Sequence, residues 1–466
     1  MWWSDTPRGA KPGPMRPLLH MVFGVCAVVA AIASVVGRPP ARPNIVLLTL
    51  DTTRADHLAT YGYFRETTPN LDKLAKDAVV FDRFLVPMAT TLPTHSSMFT
   101  GAWPLEHGIT ANVKHGGRRF KPSPALRSVT ELLSDEGYRT AAFVSATPLQ
   151  KGTGMESGFD VYDAPDNAQR KGAKTIHAAK KWVRKKAREK GPFFLWVHLY
   201  DPHGPYTPPM GYDRRWLPDE AQKAWLAERG TTLLSARPTG QELDALSDGG
   251  KYDGELSYMD HFIGNLIEEL RDAWVLRRTA IVVAGDHGEG LGQHGVAGHG
   301  QVWGEQLHAP FFVWTPWHHH RRVAAPSTAV DVFPTVFGML GMDVGATLAS
   351  QASGMDARHA PRDRPLLHLS SARQASFGND DVVALTKGGW RYHRQGDVER
   401  LYDLQQDPFE LQDLADREPG RVAVLREITD DMVREQSQRG AELGTGEEVQ
   451  LSAEELRQLE ELGYVE

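Results

Sequence analysis

The sequence predicts an α/β fold: a large, mostly parallel sheet sandwiched by helices, followed by a small C-terminal subdomain of antiparallel strands and a helix. Three observations predict it. The runs 44–50, 192–200 and 279–284 are apolar without alternation, the mark of strands covered on both faces. Amphipathic helical stretches separate them, as parallel strands require. Beyond residue 364 the runs shorten and follow one another at hairpin spacing.

In chain order, the first segment is 1–42. Arg8, Lys11 and Arg16 precede an apolar stretch at 18–36, and Ala31-Ile32-Ala33 has the small residues of a cleavage site. This reads as a signal peptide or as a retained signal anchor, with Arg38 to Pro43 as a stiff tether. The basic flank favours an inside N-terminus and an exported body, periplasmic, extracellular or anchored to the outer face of the cytoplasmic membrane.

Residues 43–349 form the expected catalytic domain. The strand 44–50 is followed by a helix at 71–78 that Thr68 or Asn70 can cap. Short strands are expected at 79–81, 84–86 and 140–144. A basic helix covers 173–189 and leads into the strand 192–200. The segment 208–250 breaks this rhythm and reads as a lid or a surface excursion. A long helix spans 254–273, with Leu256, Met259, Ile263, Leu266, Ile267 and Leu270 at helical spacing. Strands at 279–284 and 311–314 and a helix at 331–340, with Pro334 in its first turn, complete the domain. Residues 350–466 supply a linker and the small domain, with strands at 366–370, 382–386, 390–394 and 400–404 and a terminal helix at 453–462.

Composition excludes several classes. With 41% hydrophobic and 24% charged residues the chain is neither disordered nor a multi-span membrane protein. A net charge of −7 without a basic block in the body argues against nucleic-acid binding. An anionic substrate must then be drawn by local charge, such as a cation. The one cysteine, Cys26, lies in the apolar leader, so neither a disulfide within the chain nor thiol chemistry in the body is available. Oligomeric state is not legible.

Ligands of open α/β sheets bind at the carboxyl ends of the strands. Asp51 and the pair Asp286-His287 stand at two such ends. Carboxylates joined by an imidazole suit Zn, Mn or Mg better than an all-oxygen Ca cage. Thr91 precedes Leu92-Pro93 at the start of a short helix, where free N–H groups and the helix dipole favour an anion. A hydroxyl becomes a nucleophile when a metal lowers its pKa; Thr90 is the neighbouring candidate. His203, in Asp201-Pro202-His203-Gly204, is placed to protonate a leaving group. Glycines flank His287, His294 and His299 and allow close backbone approach. The tract His318-His319-His320-Arg321-Arg322 reads as a solvated turn.

These residues resemble the sulfatase family of the alkaline phosphatase-like superfamily. The resemblance rests on Asp51-Thr52-Thr53-Arg54-Ala55-Asp56-His57, Thr100-Gly101 with His107-Gly108, Asp201-Pro202-His203-Gly204-Pro205-Tyr206, Gly285-Asp286-His287-Gly288-Glu289, and Leu401-Tyr402-Asp403-Leu404 with Asp407-Pro408, in the family order. It implies Asp51, Asp286 and His287 as metal ligands, Thr91 completing the shell. It also implies His203 at the ester group and His299 near a position where relatives keep a lysine. The family's Cys/Ser-x-Pro-x-Arg frame reads here Thr91-Leu92-Pro93-Thr94-His95, so no formylglycine is expected. That frame is similar to the Thr-x-Pro-x-His of phosphodiesterase relatives, which puts His95 and Asn112 on the substrate side. Thr52 replaces a second aspartate, a departure from the family's usual calcium site; one divalent site (Zn, Mn, Mg or Ca) is implied. A second, from Asp201, His203 and His299, is left open.

The expected function is hydrolysis of a small anionic ester, sulfate or phosphate/phosphonate, through Thr91. Threonine has no aldehyde exit and must be freed by water, which slightly favours phosphate. The alternatives are a membrane-face phosphoryl-group transferase and a catalytically silent binding protein of the same fold.

Overall fold

Strand Asn44–Leu50 (β1) is buried along its whole length. Its side chains divide by pleat: Ile45 and Leu47 enter one apolar cluster, Val46, Leu48 and Leu50 another. This places β1 in the middle of a sheet that is covered on both sides. The structure is a computed structural model. It describes residues 40–444 apart from 113–117, 122, 166–168, 187–188, 217–239 and 371–381, together with 448–450, 452–454 and 457. The leader at 1–42 and the helix at 453–462 therefore lie largely outside the described residues, as do 217–239 of the insertion expected at 208–250; its last part, 240–250, is not a lid or excursion but the first turns of the long helix, which begins at Gly240 rather than at 254.

The main sheet has eight strands. Beside β1 these are Ala78–Phe84 (β2), Arg139–Phe143 (β3), Val161–Asp163 (β4), Phe193–Leu199 (β5), Thr279–Gly285 (β6), Phe311–Trp314 (β7) and Arg321–Ser327 (β8). Their order is β8-β2-β7-β6-β1-β5-β3-β4. Only β7 runs against its neighbours; every other pairing is parallel. The register sets Leu50 opposite Gly285 and Leu199, so three strands end side by side.

Helices Pro69–Ala75 (α1), Gly172–Lys186 (α4) and Gly240–Asp272 (α5) cover one face. Thr91–Thr100 (α2), Val129–Asp135 (α3), Val332–Leu340 (α6) and Val344–Gln351 (α7) cover the other. Trp196 of β5 packs under α2 against Phe99, with ring centroids 4.7 Å apart, and donates its indole N–H to Thr49 at 2.8 Å. That bond satisfies two polar groups that burial would otherwise penalise.

Two local expectations need correction. Residues 78–84 form one strand rather than two, because the half-buried Asp82 and Arg83 sit within an edge-proximal segment and Asp82 pairs with Arg322 at 2.5 Å. Arg321 and Arg322 open the edge strand β8 instead of belonging to a turn.

The C-terminal sheet is antiparallel, with strands Leu366–Leu369 (β9), Val382–Lys387 (β10), Trp390–Gln395 (β11) and Val398–Asp403 (β12) in sequence order. The 25-residue helix Pro419–Leu443 (α8) packs on it through Val422 and Leu425. Residues 41–466 form one compact unit. Among the described residues no helix is long and apolar enough to cross a membrane.

Candidate active site

Asp51 follows β1 directly. Its N–H donates to Leu199 O at 2.9 Å, while neither carboxylate oxygen accepts a hydrogen bond although both are buried. The next residue, Thr52, has φ +47°, a left-handed conformation unusual for a β-branched residue. This turn aims the Thr52 N–H at Asp286 Oδ1, 3.2 Å away, and lets Tyr252 of α5 donate to Thr52 O at 2.7 Å. Local strain of this kind persists where the surroundings over-determine it.

Asp286 follows β6. Its Oδ1 accepts from Thr52 N and from His287 N (2.8 Å), and its buried Oδ2 has no hydrogen-bond partner. His287 donates Nδ1–H to Gly288 O at 2.9 Å, which leaves a lone pair on Nε2. That nitrogen lies 4.0 Å from Asp51 Oδ1 and 3.8 Å from Asp286 Oδ2. A Cβ on Gly288 would come within 2.0 Å of Glu305 O, so only glycine permits this approach. The buried Arg54 clamps the following loop to the end of β1. It pairs with Asp56 at 2.7 Å and donates to Glu289 O at 3.1 Å and Gln293 Oε1 at 3.2 Å.

Thr91 is the first residue of α2 and is fully buried; Thr90 precedes it in extended conformation. Thr91 Oγ1 stands 3.5 Å from His287 Nε2. Asn112 accepts from the Leu92 N–H at 2.8 Å, and its buried Nδ2 has no partner, a free donor beside the helix start. His95 lies one turn into α2 and its Nδ1 donates to Thr91 O at 2.8 Å. Its ring sits behind Thr91, 3.7 Å from Asp286 Oδ2 and next to His198.

His203 and His299 form the partly buried rim. Nδ1 of His203 donates to Gly204 O and Nδ1 of His299 to Ala89 O, at 2.7 and 3.1 Å. Both Nε2 atoms then bear lone pairs, yet they face each other at 3.1 Å, a contact that calls for a proton or cation between them. Asp201 is not part of this pair. Both its oxygens accept from Gly172 N at 3.0 Å, so it holds the start of α4.

The residue that sequence reasoning missed is His198. It occupies the penultimate position of β5, fully buried, with Nε2 3.3 Å from Asp51 Oδ2. A lone histidine in an otherwise apolar strand was the available signal.

Electrostatics follow from burial without countercharge. Burial pushes the carboxyls of Asp51 and Asp286 well above the usual range, and Asp51 raises Asp286 further. Burial likewise holds His287 and His95 well below the ordinary imidazole value and His198 down at about 3. No lysine or arginine pairs with either carboxylate among the described residues. Acceptor atoms gathered and left without donors fit a divalent cation. Asp51, Asp286 and His287 bring one donor atom each within 4.8 Å of one another, and His95, His198 and Asp286 do the same.

An open, mostly parallel sheet with acidic and imidazole groups at adjacent strand ends, beside a hydroxyl opening a helix, defines a protein of the alkaline phosphatase-like class. Within that class the chain belongs to the sulfatase family, since residues 43–342 match the family model named Sulfatase. Among curated relatives, an ulvan-active sulfatase of Formosa agariphila is 25% identical over 66% of this chain and 63% of its own length, so the chain spans under two thirds of that relative. Among solved structures, yidJ of Bacteroides fragilis, a sulfatase by name, superposes with TM-score 0.74 at 18% identity, covering 87% of this chain and 98% of its own. The phosphonate monoester hydrolase of Agrobacterium radiobacter gives TM-score 0.65 at 19% identity, over 85% and 96%.

Proposed function

We propose that this protein hydrolyses sulfate or phosphate/phosphonate esters through Thr91, with the phosphoryl ester slightly favoured. One observation carries the reading: a threonine hydroxyl at a helix start, 3.5 Å from His287 Nε2, beside three buried carboxylate oxygens, both of Asp51 and Oδ2 of Asp286, that accept no hydrogen bond. A divalent cation held by Asp51, Asp286 and His287 would lower the pKa of that hydroxyl and neutralise ester oxygens.

Thr91 Oγ1 releases its proton to solvent and attacks phosphorus or sulfur, and the bond to the ester oxygen breaks. Asn112 Nδ2, beside the start of α2, holds a non-bridging oxygen. His203 passes a proton to the leaving oxygen and regains one from solvent; burial holds His203 at about 3 and His299 at about 4, so neither ring stores that proton at neutral pH. Water then cleaves the threonine ester and restores the hydroxyl. The sulfatase names of the curated relatives support the sulfate branch. The missing aldehyde precursor and the fold shared with a phosphonate hydrolase support the other. The basic-then-apolar leader supports export of the body.

The test is a side-by-side rate comparison on an aryl sulfate, an aryl phosphate monoester, a diester and a phosphonate. Thr91→Ala is expected to lose at least about a thousandfold on the best substrate, as expected for a lost nucleophile. Wild-type turnover by Thr91→Ala overturns the assignment.

A further inference from the structure

A cavity of about 490 Å³, a size common for small-molecule sites, is lined jointly by the main sheet and the C-terminal sheet. Arg83 comes from β2, and Thr386 and Arg391 come from β10 and β11. Leu85, Leu404, Pro408, Phe409 and Leu411 supply an apolar wall. Asp51, Thr91, Asp286 and His287 are not among the residues that line it, so hydrolysis as described leaves it unused.

Charges along the lining pair off with one exception. Arg54 meets Asp56 at 2.7 Å. His294 directs Nδ1 at Glu305, 2.9 Å away, and Nε2 at the Phe409 carbonyl, 3.1 Å away, so both nitrogens donate. Burial opposes that charge, but Glu305 and Glu410 outweigh it and raise the pKa. Arg391 is buried 3.1 Å from Glu410 Oε1, yet its Nη1 makes no hydrogen bond, which leaves a donor for a further acceptor. Arg83 has no carboxylate partner among the described residues; burial and the charge of Arg391 hold its pKa below the ordinary value. Two guanidiniums that repel each other beside an apolar wall call for an anion.

We infer that this cavity binds a small organic monoanion, its carboxylate between Arg83 and Arg391 and its apolar body on Leu404, Phe409 and Leu411. Each part of that ligand has a counterpart. A guanidinium presents paired N–H groups that match the two oxygens of a carboxylate. One uncompensated cation balances one negative charge, which favours a carboxylate over a phosphate dianion. Phe409 and Leu411 are 37% and 65% exposed, surface that an apolar body covers. The ligand bridges β2 and β11, fastens the C-terminal sheet to the main sheet and so stabilises the folded chain.

The probe is hexanoate, titrated calorimetrically into the full chain with and without a chelator. One hexanoate per chain is expected in both, bound at least about tenfold tighter than acetate, 1-hexanol or inorganic phosphate, with a melting temperature that rises towards saturation. Arg83→Leu, which removes the uncompensated cation, and Leu411→Asp, which sets a charge against the apolar body, are each expected to weaken hexanoate at least about tenfold. Thr91→Ala is expected to bind it as the wild type does. No saturable binding, undiminished binding by either variant, tighter binding of phosphate, or loss of binding in chelator or in Thr91→Ala overturns the inference and leaves the Thr91 reading standing. Wild-type turnover by Thr91→Ala overturns that reading and not this one. If Arg83→Leu does not fold, Leu411→Asp, altered at an exposed position, decides in its place.

Discussion

Replacing Asp51 by Asn should uncouple stability from metal. An ion that binds only the folded state stabilises it by about 2.7 kcal/mol at a hundredfold excess over its Kd. Unfolding entropy is about 2.1 cal/mol/K per residue, so the unit spanning residues 41–466 carries about 0.9 kcal/mol/K. The wild type should therefore melt about 3 °C higher at that excess for each ion bound. Asn cannot supply the charge, and Asp51→Asn should show no such rise. In chelator the order should reverse. Burial raises the folded pKa of Asp51 above its unfolded value. The stabilisation from this group is thus full below an unfolded pKa of about 3.9 and lost as pH rises through the folded pKa. At pH 7 metal-free Asp51→Asn should melt above metal-free wild type. Calorimetry with Mn titrated from zero reads both effects. A metal-dependent rise retained by Asp51→Asn, or a lower metal-free melting temperature, would refute the reasoning.

Asp201→Ala should cost about 1 kcal/mol through the lost contact at the start of α4, with bound metal per chain unchanged; metal analysis checks this. Glu410→Ala strands the buried Arg391, 3.1 Å from it, and should cost about 3–5 kcal/mol, read by calorimetry as a drop of about 3–5 °C. Burial pushes His107 down to about 3, and its ring joins Ser97 and the Ile109 N–H. As pH falls from about 6.5 the unfolded chain takes a proton that the folded one refuses, so stability falls. His107→Gln should flatten this acid slope by about 1.4 kcal/mol per pH unit in melts between pH 6 and 4.

Much of the sheet was legible because β1, β5 and β6 are apolar on both pleats, a pattern that admits few other readings. The carboxylates were legible because each such run stops at one. What escaped did so for physical reasons. Helix α8 buries Thr429 and Gln436 along with Val422 and Leu425, so its inward stripe is half polar and weakly periodic. His198 was read as strand because its neighbours are strand. Asp201 stands two residues before His203 and invites pairing with it, yet in the turn after β5 its side chain faces Gly172. Sequence distance carries no direction, and that turn supplied it. The contact between His203 and His299 joins residues 96 positions apart, which no local pattern encodes.

The chain enters β1 at Asn44 and leaves it at Asp51, and seven residues of strand span about 23 Å. Asn44 and Asp51 thus stand at opposite ends of one central strand, and a group attached at Asn44 is separated by the length of β1 from the cluster of Asp51, Asp286 and His287.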